Sequence, residues 1–372
     1  MKLALVRRAF SPVGGAELYL QRLIAGLASA GHELHLLTES WTDSTSALQV
    51  HQIPTNAGRA ARPWAFAHAV QRHLDSAAYD CVFSLERTLR QDVYRAGDGV
   101  HRVWLAQRRR YLPWWRTFWT GGFHRSMLKL EKQTLDPANT RFVIVNSEMV
   151  RREIESNFGF PSERIILIRN GVDLTRFRPQ PNRRDETRRK YNFSPTDFVC
   201  LFVGSGWDRK GLQYVIDAVP VAQDLLPRLV SNPTLKLVVA GKGRPTTSHP
   251  NIIFTGPVPD VENLYAAADL FTFVPIYEPS ANVCIEAFAA GLPVVTSRFN
   301  GAAELITKPE LGDVLEDPSD REKLAAKIAG FVARPERTRV SVPDDLISIE
   351  RNVTETITIL ERAKRSSPTV RS

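Results

Sequence analysis

The chain has 372 residues, 43% of them apolar, which exceeds the size at which one hydrophobic core stops growing, so two domains are expected, each able to bury its own core. Its three cysteines, Cys81, Cys200 and Cys284, are widely scattered with no CxxC or Cys/His ligand spacing, which argues against a disulfide framework or structural zinc and for a reducing compartment. The net charge of +9 sits in one half: residues 1 to 180 hold 25 Lys and Arg against 16 Asp and Glu, while residues 181 to 372 hold 24 of each. The first half is therefore expected to meet an anionic partner: nucleic acid, acidic lipid or a phosphorylated glycan.

From the N-terminus, a short apolar run closed by Arg7 and Arg8 lacks the longer apolar core of a signal peptide and reads as a first strand, Leu3 to Val6. Strands are expected next at Glu33 to Leu37, Gln49 to Ile53, Cys81 to Ser84, Phe142 to Val145 and Ile165 to Ile168. Helices fit between them, notably Ala16 to Ala30, stopped by Gly31. The Pro-rich charged stretch from Arg178 reads as an interdomain linker. The pattern then restarts, with strands expected at Phe198 to Val203, Leu235 to Ala240, Ile252 to Phe254, Leu270 to Val274 and Val294 to Thr296. After Pro343 an amphipathic stretch, Leu346 to Ala363, is too short for a domain and is a candidate to pack back on the first one. No run of about 18 apolar residues occurs, so no membrane-spanning helix is expected. The expected fold is α/β: two Rossmann-like domains, 1–177 and 178–342, facing across an interdomain cleft, with a tail at 343–372.

Two stretches carry candidate chemistry. Gly204-Ser205-Gly-Trp-Asp-Arg209-Lys210-Gly211 lies where a strand ends and a helix, Leu212 to Val219, is expected to begin. Small residues let backbone amides approach an anion, the helix end adds partial positive charge, and Arg209 and Lys210 supply full charges to stabilise a departing diphosphate. An ordinary βα turn with solvated basic residues is the competing reading. The second stretch runs from Glu278 through Ser280, Ala281, Asn282 and Val283 to Glu286, with Gly291 and Pro293 beyond. Its carboxylates suit the gripping of vicinal hydroxyls, and its loop amides suit a phosphate; alternatively Glu278 caps the helix and Glu286 is a surface residue.

Gly-x-x-x-x-Arg-Lys-Gly, two glutamates eight apart and Ala-x-x-x-Gly-x-Pro-Val together resemble the large family of retaining GT-B glycosyltransferases that contains the sucrose synthases. Gly14-Gly15-Ala-Glu17 resembles its N-terminal glycine loop, and Asn170-Gly-Val-Asp173 its entry to the linker. Within the family, the chain looks like the glucosyltransferases that add the first hexose to the heptose of lipopolysaccharide core. The resemblance implies that Gly14, Gly15, Gly204, Ser205, Arg209, Lys210 and the 280–283 loop hold the donor diphosphate, that Glu278 contacts the donor sugar and Glu286 the ribose, and that Asp98 faces the reacting sugar. A turn aspartate before Gly99 is the other reading of Asp98. The family's usual Glu-x-Phe-Gly is here Glu278-Pro-Ser280-Ala281, which leaves the sugar open. Retention is assigned in this family to front-face substitution assisted by the leaving phosphate. No protein nucleophile is therefore named, and with no Asp-x-Asp motif no metal and no cofactor beyond the nucleotide sugar is expected. Sugar-nucleotide epimerisation is a related reaction on the same fold.

The segment His101 to Lys132 has eight Lys and Arg against one Glu, with Trp104, Trp114, Trp115 and Trp119 beside Arg108, Arg109, Arg110 and Arg116. These residues are expected to dock on an anionic membrane surface as amphipathic pieces broken at Pro113 and Gly121-Gly122, each arginine contributing about 1 kcal/mol. Single-stranded nucleic acid is a competing partner, without an RRM, KH or zinc motif to support it; tryptophans partly in the core with a solvated arginine face is another. The expectation is thus a retaining hexosyltransferase at the inner face of the plasma membrane. It moves a hexose, glucose from UDP first, to a lipid-linked glycan such as lipopolysaccharide core, with no nucleic-acid partner. A mannosyl or other hexosyltransferase for exopolysaccharide, or a non-catalytic membrane or nucleic-acid binder, stands as the alternative.

Overall fold

Each apolar run expected as a strand enters an all-parallel sheet in the computed structural model, which describes residues 1–9, 15–41, 48–117, 121–226, 234–334 and 339–364. Two compact units result. The first comprises Met1–Arg109, Pro113–Arg169 and the chain from Ile349; the second comprises Asn170–Ser348 with Arg110–Leu112.

In the first unit, β1 (Lys2–Val6), β2 (Glu33–Thr38), β3 (Leu48–Gln52), β4 (Cys81–Ser84), β5 (Gln91–Arg95), β6 (Thr140–Val145) and β7 (Ile165–Leu167) are ordered β3-β2-β1-β4-β5-β6-β7. The helices are α1 (Gly15–Ser29), α2 (Arg62–Ser76), α3 (His101–Tyr111), α4 (Trp114–Thr117), α5 (Gly122–Thr134) and α6 (Glu148–Phe158). Leu20, Leu23, Ile24 and Leu27 bury one stripe of α1, and Gly31 ends the turn beyond it at φ 77°, where a side chain would be strained. β5 escapes sequence reading because Gln-Asp-Val-Tyr-Arg looks polar. All five residues are nevertheless buried, and the Asp92 carboxylate accepts the Val82 N–H at 2.8 Å.

The second unit contains α7 (Pro181–Lys190), β8 (Phe198–Val203), α8 (Trp207–Lys210), α9 (Leu212–Leu225), β9 (Leu235–Ala240), β10 (Ile252–Gly256), α10 (Val261–Ala267), β11 (Leu270–Phe273), α11 (Asn282–Ala289), β12 (Val294–Ser297), β13 (Gly312–Leu315), α12 (Arg321–Val332) and α13 (Asp344–Ile347). Its strand order is β10-β9-β8-β11-β12-β13. The stretch read as a linker is instead largely helix: Arg184 and Arg188, one turn apart on α7, donate to the terminal carbonyls of α10 and pair with Asp269 at 2.5 and 3.4 Å. The division accordingly falls at Arg169/Asn170 rather than at 177/178, and at Ser348/Ile349 rather than at 342/343. The last helix, α14 (Ile349–Arg362), belongs to the first unit, where Val353 lies so close to Gly26 of α1 that a Cβ there would meet it at 2.8 Å.

In both sheets the chain reverses its direction of travel at one place, between β1 and β4 and between β8 and β11. Loops leaving the carboxyl ends of those strands diverge and open a crevice, the usual ligand position in such sheets.

Candidate active site

The second unit's reversal point collects both motif stretches. β8 delivers Gly204 and Ser205, and β11 delivers the chain to Glu278 and α11. The helix expected from Leu212 is present as α9; Arg209 and Lys210 ride on a separate single turn before it, α8, and Gly211, at φ 75°, stands between the two. A Cβ on Gly211 would stand 1.9 Å from the Val274 carbonyl oxygen, so glycine is the residue the backbone admits there. The Lys210 side chain folds over Gly204, whose added Cβ would meet Nζ at 2.9 Å. Burial lowers the Lys210 pKa from the ordinary lysine value, while Glu278 draws it back upward. Arg209 Nη1 donates to Glu278 Oε2 at 2.6 Å and to the Tyr277 carbonyl at 3.2 Å. Ser205 Oγ accepts the Lys242 N–H at 2.9 Å.

Glu278 does not cap α11; Ala281 occupies that position, without a side-chain cap. The Glu278 backbone bridges to the segment after β12, donating to the Phe299 carbonyl at 2.8 Å and accepting from Gly301 at 3.0 Å. Glu286 is not a solvated surface residue either: Tyr265 Oη donates to its Oε2 at 2.8 Å, and burial raises its pKa above the ordinary carboxyl value. Ser280 and Ala281 are buried and Asn282 and Val283 partly so.

Two residues shape this loop: Asn300, outside every sequence motif, and Asn170, read from the sequence only as the entry to the linker. Asn300, buried, accepts the N–H groups of Ala281 and Ala302, each at 3.1 Å, and donates to the Thr296 hydroxyl at 2.9 Å. Asn170 donates to the Ser280 carbonyl at 3.1 Å and to Asn282 Oδ1 at 2.8 Å. Asn300-Gly301 reads locally as a turn dipeptide, so nothing in the sequence separates a buried loop-shaping asparagine from a surface one.

In the first unit, Gly15 opens α1, and Gly14 lies outside the described residues. Asp98 occupies an exposed turn after β5, with Gly99 at φ 66°, and its side chain lines a pocket with Arg8, Glu86 and Arg87. The basic aromatic segment breaks at the expected places into α3, α4 and α5. Trp114 and Trp115 are 70% and 63% exposed and contact each other edge to face at 6.1 Å; Arg109 is exposed, and so is Arg110, which belongs to the second unit and lies 3.7 Å from Asp317 there. Trp104 and Arg108 do not join them. Trp104 is half-buried against His101 and His124, and Arg108 stacks on it at 5.5 Å while donating to His124 Nε2 at 3.2 Å. The Arg116 side chain and Trp119 lie outside the described residues. Among the described residues no helix is long and apolar enough to cross a membrane, and no three His, Cys, Asp or Glu converge as a metal site.

Two doubly wound units of this kind, one with an Arg-Lys turn paired to a glutamate at its reversal point, are the frame of the GT-B nucleotide-sugar transferases. A model described as "Glycosyltransferase Family 4" matches residues 13–176, and one described as "Glycosyl transferases group 1" matches residues 197–334. The chain is 28% identical over 331 residues to the lipopolysaccharide glucosyltransferase WaaG of Escherichia coli strain K12, covering 85% of each protein. The crystal structure of WaaG, a glycosyltransferase involved in lipopolysaccharide biosynthesis, superposes with a TM-score of 0.80 at 23% identity, over 96% of this chain and 99% of that one. Anabaena HepE in complex with UDP and glucose superposes with a TM-score of 0.69 at 18% identity, over 97% and 99%. The chain belongs to the group 1 glycosyltransferases of the GT-B type and is a hexosyltransferase.

Proposed function

We propose that the protein is a retaining glucosyltransferase that takes glucose from UDP-glucose and adds it to a lipid-linked cell-envelope glycan, lipopolysaccharide core being the favoured acceptor. The observation that carries this reading is the convergence of Arg209, Lys210 and Glu278 beside the 280–283 loop. A diphosphate bound between the two cations and the loop amides gains its negative charge where positive charge already waits, and more charge develops there as the C1–O bond breaks. The acceptor hydroxyl forms its new bond to C1 on the face the leaving phosphate vacates, and its proton passes to a phosphate oxygen. Glu278, positioned by Arg209, accepts hydroxyls of the donor sugar; Glu286, held by Tyr265, accepts those of the ribose. This chemistry uses no metal and no protein nucleophile. The WaaG similarity supports the acceptor, and the UDP and glucose bound to HepE support the donor.

Exposed Trp114 and Trp115, with Arg109 exposed in the same unit, support peripheral docking on the anionic inner face of the plasma membrane, where a lipid-linked acceptor is presented. A thermal-shift panel of nucleotide sugars tests the donor: UDP-glucose raises the melting temperature and GDP-mannose does not. Glu278→Ala and Lys210→Ala lose both the shift and transfer. Stabilisation by no nucleotide, or unchanged turnover in both variants, refutes the assignment.

A further inference from the structure

The first unit has its own reversal point, between β1 and β4, and the described pocket of about 180 Å³ opens there, lined by residues that follow β1, β4 and β5. That is room for about six waters at ~30 Å³ each, the bulk of one sugar ring. Its walls divide by chemistry. Phe66 of α2 and Phe123 of α5 give an apolar side, while Arg8, Glu86, Arg87 and Asp98 give a polar one.

The polar side is mostly committed elsewhere. Arg87 donates from Nε and Nη2 to Glu131 Oε1 at 3.3 and 3.1 Å and from Nη2 to the Gly99 carbonyl at 2.8 Å. Glu131 in turn accepts the His101 and Arg102 N–H groups at the start of α3, so this buried pair is a structural brace. Arg8 lies 3.9 Å from Glu39, which Arg62 also holds at 2.9 Å. Glu86 has Arg7 at 3.4 Å and accepts the Arg8 N–H at 3.3 Å through the same oxygen, Oε1. Asp98 has no hydrogen bond or ion pair among the described residues. What the pocket still offers a ligand is thus acceptor capacity, from Asp98 and from the second oxygen of Glu86, with each neighbouring arginine already facing a carboxylate.

We propose that this pocket receives the terminal sugar of the acceptor as a neutral polyol: Glu86 and Asp98 accept its ring hydroxyls, Phe66 and Phe123 cover its C–H face, and a phosphate on that sugar excludes it. An entering phosphate meets two carboxylates with no uncommitted cation, whereas hydroxyls meet the acceptors they need. This deepens the transferase reading and rests on it. Helix α5, which supplies Phe123, follows directly on the Trp114–Trp115 segment, so one stretch of chain serves both the pocket wall and the surface a lipid-borne glycan would approach.

Saturation-transfer NMR on the full-length protein tests it, with methyl L-glycero-α-D-manno-heptopyranoside and methyl α-D-mannopyranoside as neutral probes and mannose 6-phosphate as the charged one. The neutral glycosides bind, the sugar phosphate binds at least about tenfold more weakly, and Asp98→Asn or Glu86→Gln weakens the glycosides about fivefold to tenfold, the difference between a charged and a neutral acceptor in one hydrogen bond. Asp98→Arg, at an exposed turn that tolerates the change, reverses the preference toward the phosphate. Equal or tighter phosphate binding by wild type, unaltered glycoside binding in both carboxylate variants, or no glycoside binding at all overturns the proposal. UDP binding is read separately on the wild-type protein. A chain that binds UDP but no glycoside refutes only the pocket, and one that binds glycosides but no nucleotide refutes only the donor reading.

Discussion

Asn300→Ala tests whether the loop before α11 is shaped by one side chain. The carboxamide accepts two buried N–H groups, those of Ala281 and Ala302, and its NH₂ reaches the Thr296 hydroxyl at 2.9 Å and Cys284 Sγ at 3.3 Å. Alanine leaves both N–H groups without an acceptor in a place too tight for ready rehydration: Ala281 is 4% and Ala302 2% exposed. At about 1–3 kcal/mol for each stranded group, the expected loss is about 4 kcal/mol, confined to the second unit. Urea unfolding followed by amide hydrogen exchange, peptide by peptide, measures it. Peptides from 278–303 lose protection while those of the first unit keep theirs, and UDP affinity falls because the 281–283 amides no longer share one fixed edge. A loss below about 1 kcal/mol in that assay refutes the reasoning, since it means the two amides find other acceptors.

Gly211→Ala places a Cβ 1.9 Å from the Val274 carbonyl at a φ of 75°, and the melting temperature of the second unit falls by a shift worth at least about 3 kcal/mol in calorimetry. Tyr265→Phe removes the hydroxyl that donates to Glu286 and costs about 1 kcal/mol in urea unfolding. It also raises the Glu286 pKa further, visible as a more alkaline acidic limb in the pH profile of transfer. In the first unit, His51 and His73 are held below the ordinary histidine pKa by burial and by neighbouring histidines: hydrogen bonds link Glu33, His35 and His51, the His73 ring lies 4.8 Å from that of His51, and His73 Nε2 hydrogen-bonds Tyr79 Oη. Each binds a proton less readily folded than unfolded, so their stabilisation is complete above pH 6.5 and is lost as the pH falls through the depressed folded values. The urea midpoint of the first unit is expected to drop between pH 7.5 and 5, and His51→Gln flattens that slope.

The parallel sheets were legible because their strands are short β-branched runs, buried on both faces, between helix-length amphipathic stretches. The exceptions are instructive. β5 carries polar residues whose burial depends on partners outside the strand, as Asp92 depends on Val82, and β13 is a four-residue strand that carries the half-exposed Asp313. α7 carries no apolar stripe, since its buried residues are Thr187 and Arg188, and Arg188 with the half-buried Arg184 is satisfied by the carbonyls of α10. The motifs likewise singled out Arg209, Lys210, Glu278 and Glu286 as candidates, because charged residues at strand ends stand out against an apolar background. What they could not disclose is which groups hold those four in place.

Asn300, Tyr265 and the α8 turn are invisible locally, since an asparagine, a tyrosine and a short polar turn occur on any surface and acquire their meaning from three-dimensional neighbours. The same limit divided the tryptophan segment. One-dimensional reading grouped Trp104 and Arg108 with Trp114 and Trp115 because all four lie in a basic aromatic run. Only the fold reveals that His124, from the next long helix, turns the first pair inward. Composition identified the segment, and tertiary contact decided which of its residues remain available to a surface. On the proposed membrane docking, Trp114→Ala and Trp115→Ala weaken liposome flotation, while Trp104→Ala acts first on stability; flotation unchanged in both exposed-tryptophan variants refutes the docking.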